Sequence, residues 1–138
     1  MIPVLLANTW ENVVSHTKPS ILIIENNNPT LELYRRELSH DFEVLACSEV
    51  AEALALVNTP RLAAIVLEPE IADGQGWSLL SNLQPDLQGS SLPVILCSTM
   101  DERKRGLAAG AVDFLVKPVL PPVLLQAIHR VIRSTSKV

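Results

Sequence analysis

The chain has 138 residues, one domain's worth, and 48% of them are hydrophobic while only 4% are aromatic, so its core must be aliphatic. A net charge of −4 argues against a nucleic-acid surface, which needs a basic face or stripe. The early apolar run at residues 1–7 is far shorter than the ~20 residues a membrane-spanning helix requires, and it lacks a basic flank and a cleavage site; the expected location is the cytoplasm, with no membrane contact.

Residues 1–19 stand apart as an N-terminal extension or linker. Leu6, Trp10, Val13 and Val14 have helical spacing, and Lys18, Pro19 and Ser20 mark a break. A helix packed on the domain and the end of a longer connector both fit. The first strand is predicted at residues 21–25, an apolar run ending in Glu25. Asn28-Pro29 then opens a helix as cap and first-turn proline, with Leu31, Tyr34 and Leu38 on one face. A second strand spans about 43–46, and Ser48 is expected to cap a helix that turns Val50, Leu54 and Val57 inward before Pro60.

The third strand, 63–67, runs directly into Glu68. Residues 69–75 carry the turn pair Asp73-Gly74, followed by a short helix at 76–83 and a polar stretch at 84–91. A fourth strand at 93–97 leads into Ser98, and residues 99–102 have capping-box spacing before a short helix that Gly110 ends. The fifth strand, 112–116, precedes Lys117-Pro118, and a last helix runs from about 121 to 134, leaving a tail at 135–138. Strict alternation of five strands and five helices predicts an α/β fold, a flavodoxin-like (βα)5 doubly wound parallel sheet with strand order 2-1-3-4-5. In that order Glu25 and Glu68 are neighbours at the switch point.

Two carboxylates, a hydroxyl and an ammonium group at strand ends point to one polar pocket. Taken singly, a glutamate ending a strand is an ordinary solvated loop residue. Here two of them precede Lys117-Pro118 in the right order, which favours the pocket. From about residue 20 to 133, the chain resembles the receiver domain of two-component response regulators, the CheY-like fold, and in particular receivers of hybrid sensor kinases. The resemblance rests on an ordered set of segments: the strand ending in Glu25-Asn26, the strand ending in Glu68, Gly76 at the next helix start, Ser98 after the fourth strand, and residues 110–118 with Phe114, Lys117 and Pro118.

The resemblance implies a role for each. Glu25 and Asn26 stand at the acidic pair, Glu68 at the phosphoacceptor aspartate, Ser98 and Phe114 at the switch positions. Lys117 is the pocket lysine, and its bond to Pro118 is expected to be cis. A working receiver binds Mg²⁺ with its acids and forms an acyl phosphate on the aspartate. Here one acid is an amide, and the nucleophile position carries a side chain longer by one C–C bond, ~1.5 Å. A misplacement of about 1 Å can cost on the order of 10²-fold in rate. The expectation is a pseudo-receiver that is not an enzyme, holds no cofactor, binds Mg²⁺ weakly or not at all, and acts through protein contacts. Its partners would be a histidine kinase or a downstream effector.

Glu68 either imitates a phosphoryl group in part, drawing Ser98 and Phe114 inward, or forms a structural ion pair with Lys117. The alternative function is a phosphorylatable receiver with Mg²⁺-dependent chemistry. A nucleotide- or flavin-binding enzyme needs a glycine- or hydroxyl-rich first turn, whereas residues 26–29 read Asn-Asn-Asn-Pro.

Other candidates fit blander roles. Asp73 belongs to a turn, and His16, His40 and His129 form no ligand cluster. Cys47 and Cys97 lack metal-ligand spacing and are expected to be reduced core thiols. In the last helix, Leu125, Ile128 and Ile132 are expected to face the sheet. Leu120, Val123 or Leu124 would then lie partly outside, suiting a homodimer through the fourth helix, fifth strand and fifth helix, unless the core buries them all. No effector domain is expected after residue 134, so the chain reads as a stand-alone regulator or a module of a hybrid kinase.

Overall fold

The computed structural model describes residues 18–83 and 92–136. The helix expected around Leu6, Trp10, Val13 and Val14, together with His16 and the polar stretch 84–91, falls outside the described residues. Strands β1 (Ser20–Ile24), β2 (Glu43–Cys47), β3 (Leu62–Leu67), β4 (Val94–Ser98) and β5 (Asp113–Val116) form one parallel sheet. Their order is β2-β1-β3-β4-β5, as the alternation of elements predicts. Between and after them run α1 (Asn28–Leu38), α2 (Val50–Leu56), α3 (Ile71–Asn82), α4 (Arg103–Ala108) and α5 (Pro121–Ser136).

The sheet separates two aliphatic cores because side chains alternate faces along each strand. Ile21, Ile23, Ala64, Val66, Ile95 and Cys97 pack against α1 and α5. Leu22, Ile24, Ile65, Leu67, Val94 and Leu96 face the side of α2 and α3. All of these are buried, and burying an Ile or Leu side chain stabilises by about 1.5–3 kcal/mol relative to exposure. Continuous apolar strands are what a sheet covered on both faces requires.

Several local details differ from the sequence expectations. The cap of α1 is Asn27, not Asn28: its side-chain oxygen accepts from the Thr30 N–H at 2.9 Å, and Pro29 sits in the first turn. Leu31, Tyr34 and Leu38 are buried as expected. For α2, Glu49 takes the cap position without a side-chain bond, so Ser48 is not the cap. Ala53 is its buried residue and Leu54 is exposed, because a stripe centred on the small alanine lets the helix lie close to the sheet.

The α3 region begins earlier than expected, at Ile71. Ala72, Asp73 and Gly74 are left-handed, with φ of 51°, 57° and 94°, so a kink separates the first turn from the helix proper. Gly76 is obligatory for packing: a Cβ there would lie 2.6 Å from Pro69 O and 2.8 Å from Glu68 O. The capping-box spacing at 99–102 is not used, since Glu102 is the N-cap residue of α4 and makes no side-chain cap bond. Strand β5 starts at Asp113 rather than 112, and α5 continues to Ser136. Along α5, Leu124 is fully buried, contrary to one expectation, with Ala127, Ile128 and Val131. Leu125 and Ile132 are partly buried, and Leu120 and Val123 face outward.

Candidate functional site at the sheet edge

Strand register brings the two glutamates together. Ile24 is paired with Leu67, so the next residues, Glu25 and Glu68, leave neighbouring strands at the same level. Their backbones continue the ladder, with Glu68 N–H donating to Ile24 O and Glu25 N–H to Cys47 O, each at 3.0 Å. On the other side Ser98 pairs with Val116, and Lys117 N–H donates to Ser98 O at 2.8 Å. The Lys117–Pro118 bond is cis.

Lys117 reaches back across the sheet edge. Its Nζ donates to Glu25 Oε1 at 2.5 Å and to Glu68 Oε1 at 2.9 Å. The remaining carboxylate oxygens are also used. Glu25 Oε2 accepts from Asn27 N–H at 3.0 Å, and Glu68 Oε2 from Glu70 N–H at 3.1 Å. The carboxylates are almost fully buried, with side chains only 4% and 8% exposed, and the lysine side chain is 13% exposed. Burial alone pulls the Lys117 ammonium down. Hydrogen bonds from Glu25 and Glu68, with their charges, outweigh it and hold the group above its ordinary value.

A model of the response regulator receiver domain matches residues 21–129. The chain belongs to the response regulator receiver domain family. Such domains are the signalling modules of two-component systems. The chain is 32% identical over 115 residues to the transcriptional regulatory protein HprR of Escherichia coli, covering 83% of this chain and 52% of that protein. It is 31% identical over 124 residues to histidine kinase P4 of Formosa agariphila, covering 85% of this chain and 9% of the kinase. It therefore spans about half of the one relative and a small part of the other. The non-phosphorylated HemR receiver domain of Leptospira biflexa superposes with a TM-score of 0.71 at 28% identity, over 83% of this chain and 94% of that one.

The other receiver positions fall around the charged cluster. Ser98 is buried, and its Oγ accepts from Met100 N–H at 3.2 Å. Phe114 is buried in the α3 side of the core, where Gly106 lets α4 approach: a Cβ at 106 would stand 2.8 Å from Leu96 Cδ1 and Phe114 Cδ2. Asn26 is exposed, unlike its neighbour Glu25. Asp73 is exposed on the kink. His40 is exposed, and His129 lies 2.9 Å from Asp41 at the surface. Cys47 and Cys97 are free and buried; burial raises the first thiol to about 11 and the second to about 12.

Three features of this receiver escaped sequence reasoning. Glu25 binds Lys117 as directly as Glu68 does. Tyr34 OH donates to Val119 O at 3.1 Å, tying α1 to the segment after Lys117, and burial raises its phenol to about 12. Glu70, Trp77 and Arg105 form a cluster beside the pocket. The first two contacts join residues 92 and 85 positions apart, so no local pattern announces them. Among the described residues, no helix is long and apolar enough to cross a membrane, and no group of three or more His, Cys, Asp or Glu has metal-site geometry.

Proposed function

We propose that this receiver is a pseudo-receiver of the cytoplasm, which signals through protein contacts without a phosphorylation cycle at residue 68. One observation carries the reading: Lys117 bridges Glu25 and Glu68, and all four carboxylate oxygens already accept hydrogen bonds. Each oxygen keeps a second lone pair, so position rather than occupancy counts against attack: an in-line reaction needs the carboxylate oxygen held on the phosphoryl axis, where a misplacement of about 1 Å is costly. Glu68 holds one oxygen on the ammonium and the other on the backbone, and its chain is longer than an aspartate's. Its role is that of a fixed partner for Lys117.

The residues do not fit a Mg²⁺ site. That ion requires near-octahedral oxygen ligands at about 2.0–2.1 Å. Here the cation between the carboxylates is the ammonium of Lys117, and the third position is the exposed, neutral Asn26. This arrangement supports the reading that Mg²⁺ binding is weak or absent. The partners are a histidine kinase or a downstream effector, or a second copy. For the last, the face of α4, β5 and α5 exposes Leu107, Val116, Leu120 and Val123.

Incubation with Mg²⁺ and acetyl phosphate, followed by intact-mass measurement, tests the reading. No phosphate adduct is expected. An adduct that is lost on Glu68→Ala would establish the phosphorylatable alternative instead.

A further inference from the structure

Helix α4 is weakly anchored by its own side chains. It has six residues, Arg103–Ala108, far below the ~12–15 at which an isolated helix becomes even marginal. Its one buried residue is Gly106, which has no side chain, and Leu107 is 47% exposed. Arg105 supplies a different kind of contact. Its guanidinium carbon lies 3.9 Å from the ring centroid of Trp77, on α3. A cation over an indole face is attracted by the negative face of the ring.

Trp77 is itself held in place. It is buried, and its Nε1–H donates to Glu70 Oε1 at 3.1 Å. That bond spans the kink at Ala72, Asp73 and Gly74. Left-handed backbone is unfavourable for Ala72 and Asp73, so the segment needs outside contacts to fix it. Glu70 is tied in turn to the pocket, because its backbone N–H donates to Glu68 Oε2. A continuous set of contacts thus runs from Lys117 through Glu68, Glu70 and Trp77 to Arg105.

We propose that Trp77 is a positioning residue that holds α4 in place and makes its stability depend on the charge partners of Glu68. The Glu70 bond aims the indole and Arg105 seats α4 on it. A change at the pocket that frees Glu68 Oε2 from Glu70 loosens the indole and so the helix. The face of α4, β5 and α5 is thereby preset by the pocket. This does not depend on whether Glu68 can accept a phosphoryl group.

Residue-resolved hydrogen exchange of the full chain tests the coupling. Arg105→Met keeps an apolar stem and changes an exposed group, so it preserves the fold. It is expected to speed exchange of the Gly106 and Ala109 amides roughly 2- to 5-fold, the size of an exposed cation–π contact, without changing β1 and β3 amides, and to exceed the effect of Glu102→Gln, which removes only the exposed Arg105–Glu102 pair at 3.5 Å. Trp77→Leu should do the same, and the double variant should exchange no faster than the faster single one. Lys117→Met should accelerate α4 exchange in the parent chain and have a clearly smaller effect in the Arg105→Met background. Unchanged α4 exchange in Arg105→Met, or an effect of Lys117→Met equal in both backgrounds, overturns the proposal. Should Trp77→Leu or Lys117→Met fail to fold, the Arg105→Met arm still decides the question.

Discussion

Glu25 and Glu68 both hold the Lys117 ammonium by a direct hydrogen bond, although 92 residues separate Glu25 from the lysine in the chain and 49 separate Glu68 from it. Two buried carboxylates share one ammonium, so the cluster carries a net negative charge that hydrogen bonds from Asn27 and Glu70 amides help to offset.

Removal of the ammonium should therefore be severe. Lys117→Met leaves two buried carboxylates without their cation, and breaking a buried ion pair from one side costs about 3–5 kcal/mol. Urea unfolding near neutral pH is expected to show a loss of that order. Adding Glu25→Gln and Glu68→Gln should restore most of it, because the unpaired charges are then gone. A loss under about 1 kcal/mol for Lys117→Met contradicts the geometry.

Alkaline pH should weaken the fold in a defined window. Cys97 is raised from 9.0 to about 12 and Tyr34 from 10.0 to about 12, both chiefly by burial, while Lys117 is held above 10.5 by its glutamates. In each case the folded state retains the proton more tightly. The stability these groups contribute is complete below their ordinary values and is lost as pH rises through the folded ones. The urea midpoint should begin to fall near pH 9 and continue to about pH 12. Cys97→Ala should make the fall shallower without moving its onset, because Cys47, raised from 9.0 to about 11, still titrates there, and Lys117→Met should flatten the upper part.

Two glycines should respond unequally to a methyl group. At Gly76 the new Cβ meets Pro69 O and Glu68 O, backbone atoms that cannot turn aside. At Gly106 it meets side-chain atoms, the Leu96 tip and the edge of the Phe114 ring, which have more room to shift than backbone does. Gly76→Ala is expected to destabilise by about 3 kcal/mol and Gly106→Ala by about 1 kcal/mol, within the usual cost of overpacking. Thermal unfolding of both variants ranks them, and the reverse order contradicts the packing described.

Shortening the acid should release the pocket. Glu68→Asp draws the carboxylate back from Lys117 by about one C–C bond, ~1.5 Å, and Asn26→Asp adds a second acid beside Glu25. The double variant is expected to gain Mg²⁺-dependent phosphorylation by acetyl phosphate, read as a phosphate-mass adduct. Either substitution alone should gain much less. Equal adducts on the double variant and the unaltered chain contradict the proposed function.

Much of this receiver was legible in the chain itself. Apolar runs of strand length, each followed by a helical stripe, dictated a parallel sheet with both faces covered. That in turn dictated a pocket where the strands end, since side chains at 25, 68, 98 and 117 all follow buried runs. The local misreadings share one cause. Ser48, Asn28 and the capping box at 99–102 are acceptable caps by composition, but helix placement against the sheet selects which residue takes the cap. The same holds for Leu54 and Leu124, where two stripes satisfy the helical period and only packing chooses between them. Tertiary structure alone decided that one ammonium serves both glutamates, and that Arg105 rests on Trp77. Those contacts depend on strand register and helix position over long separations, and local periodicity carries no information about either.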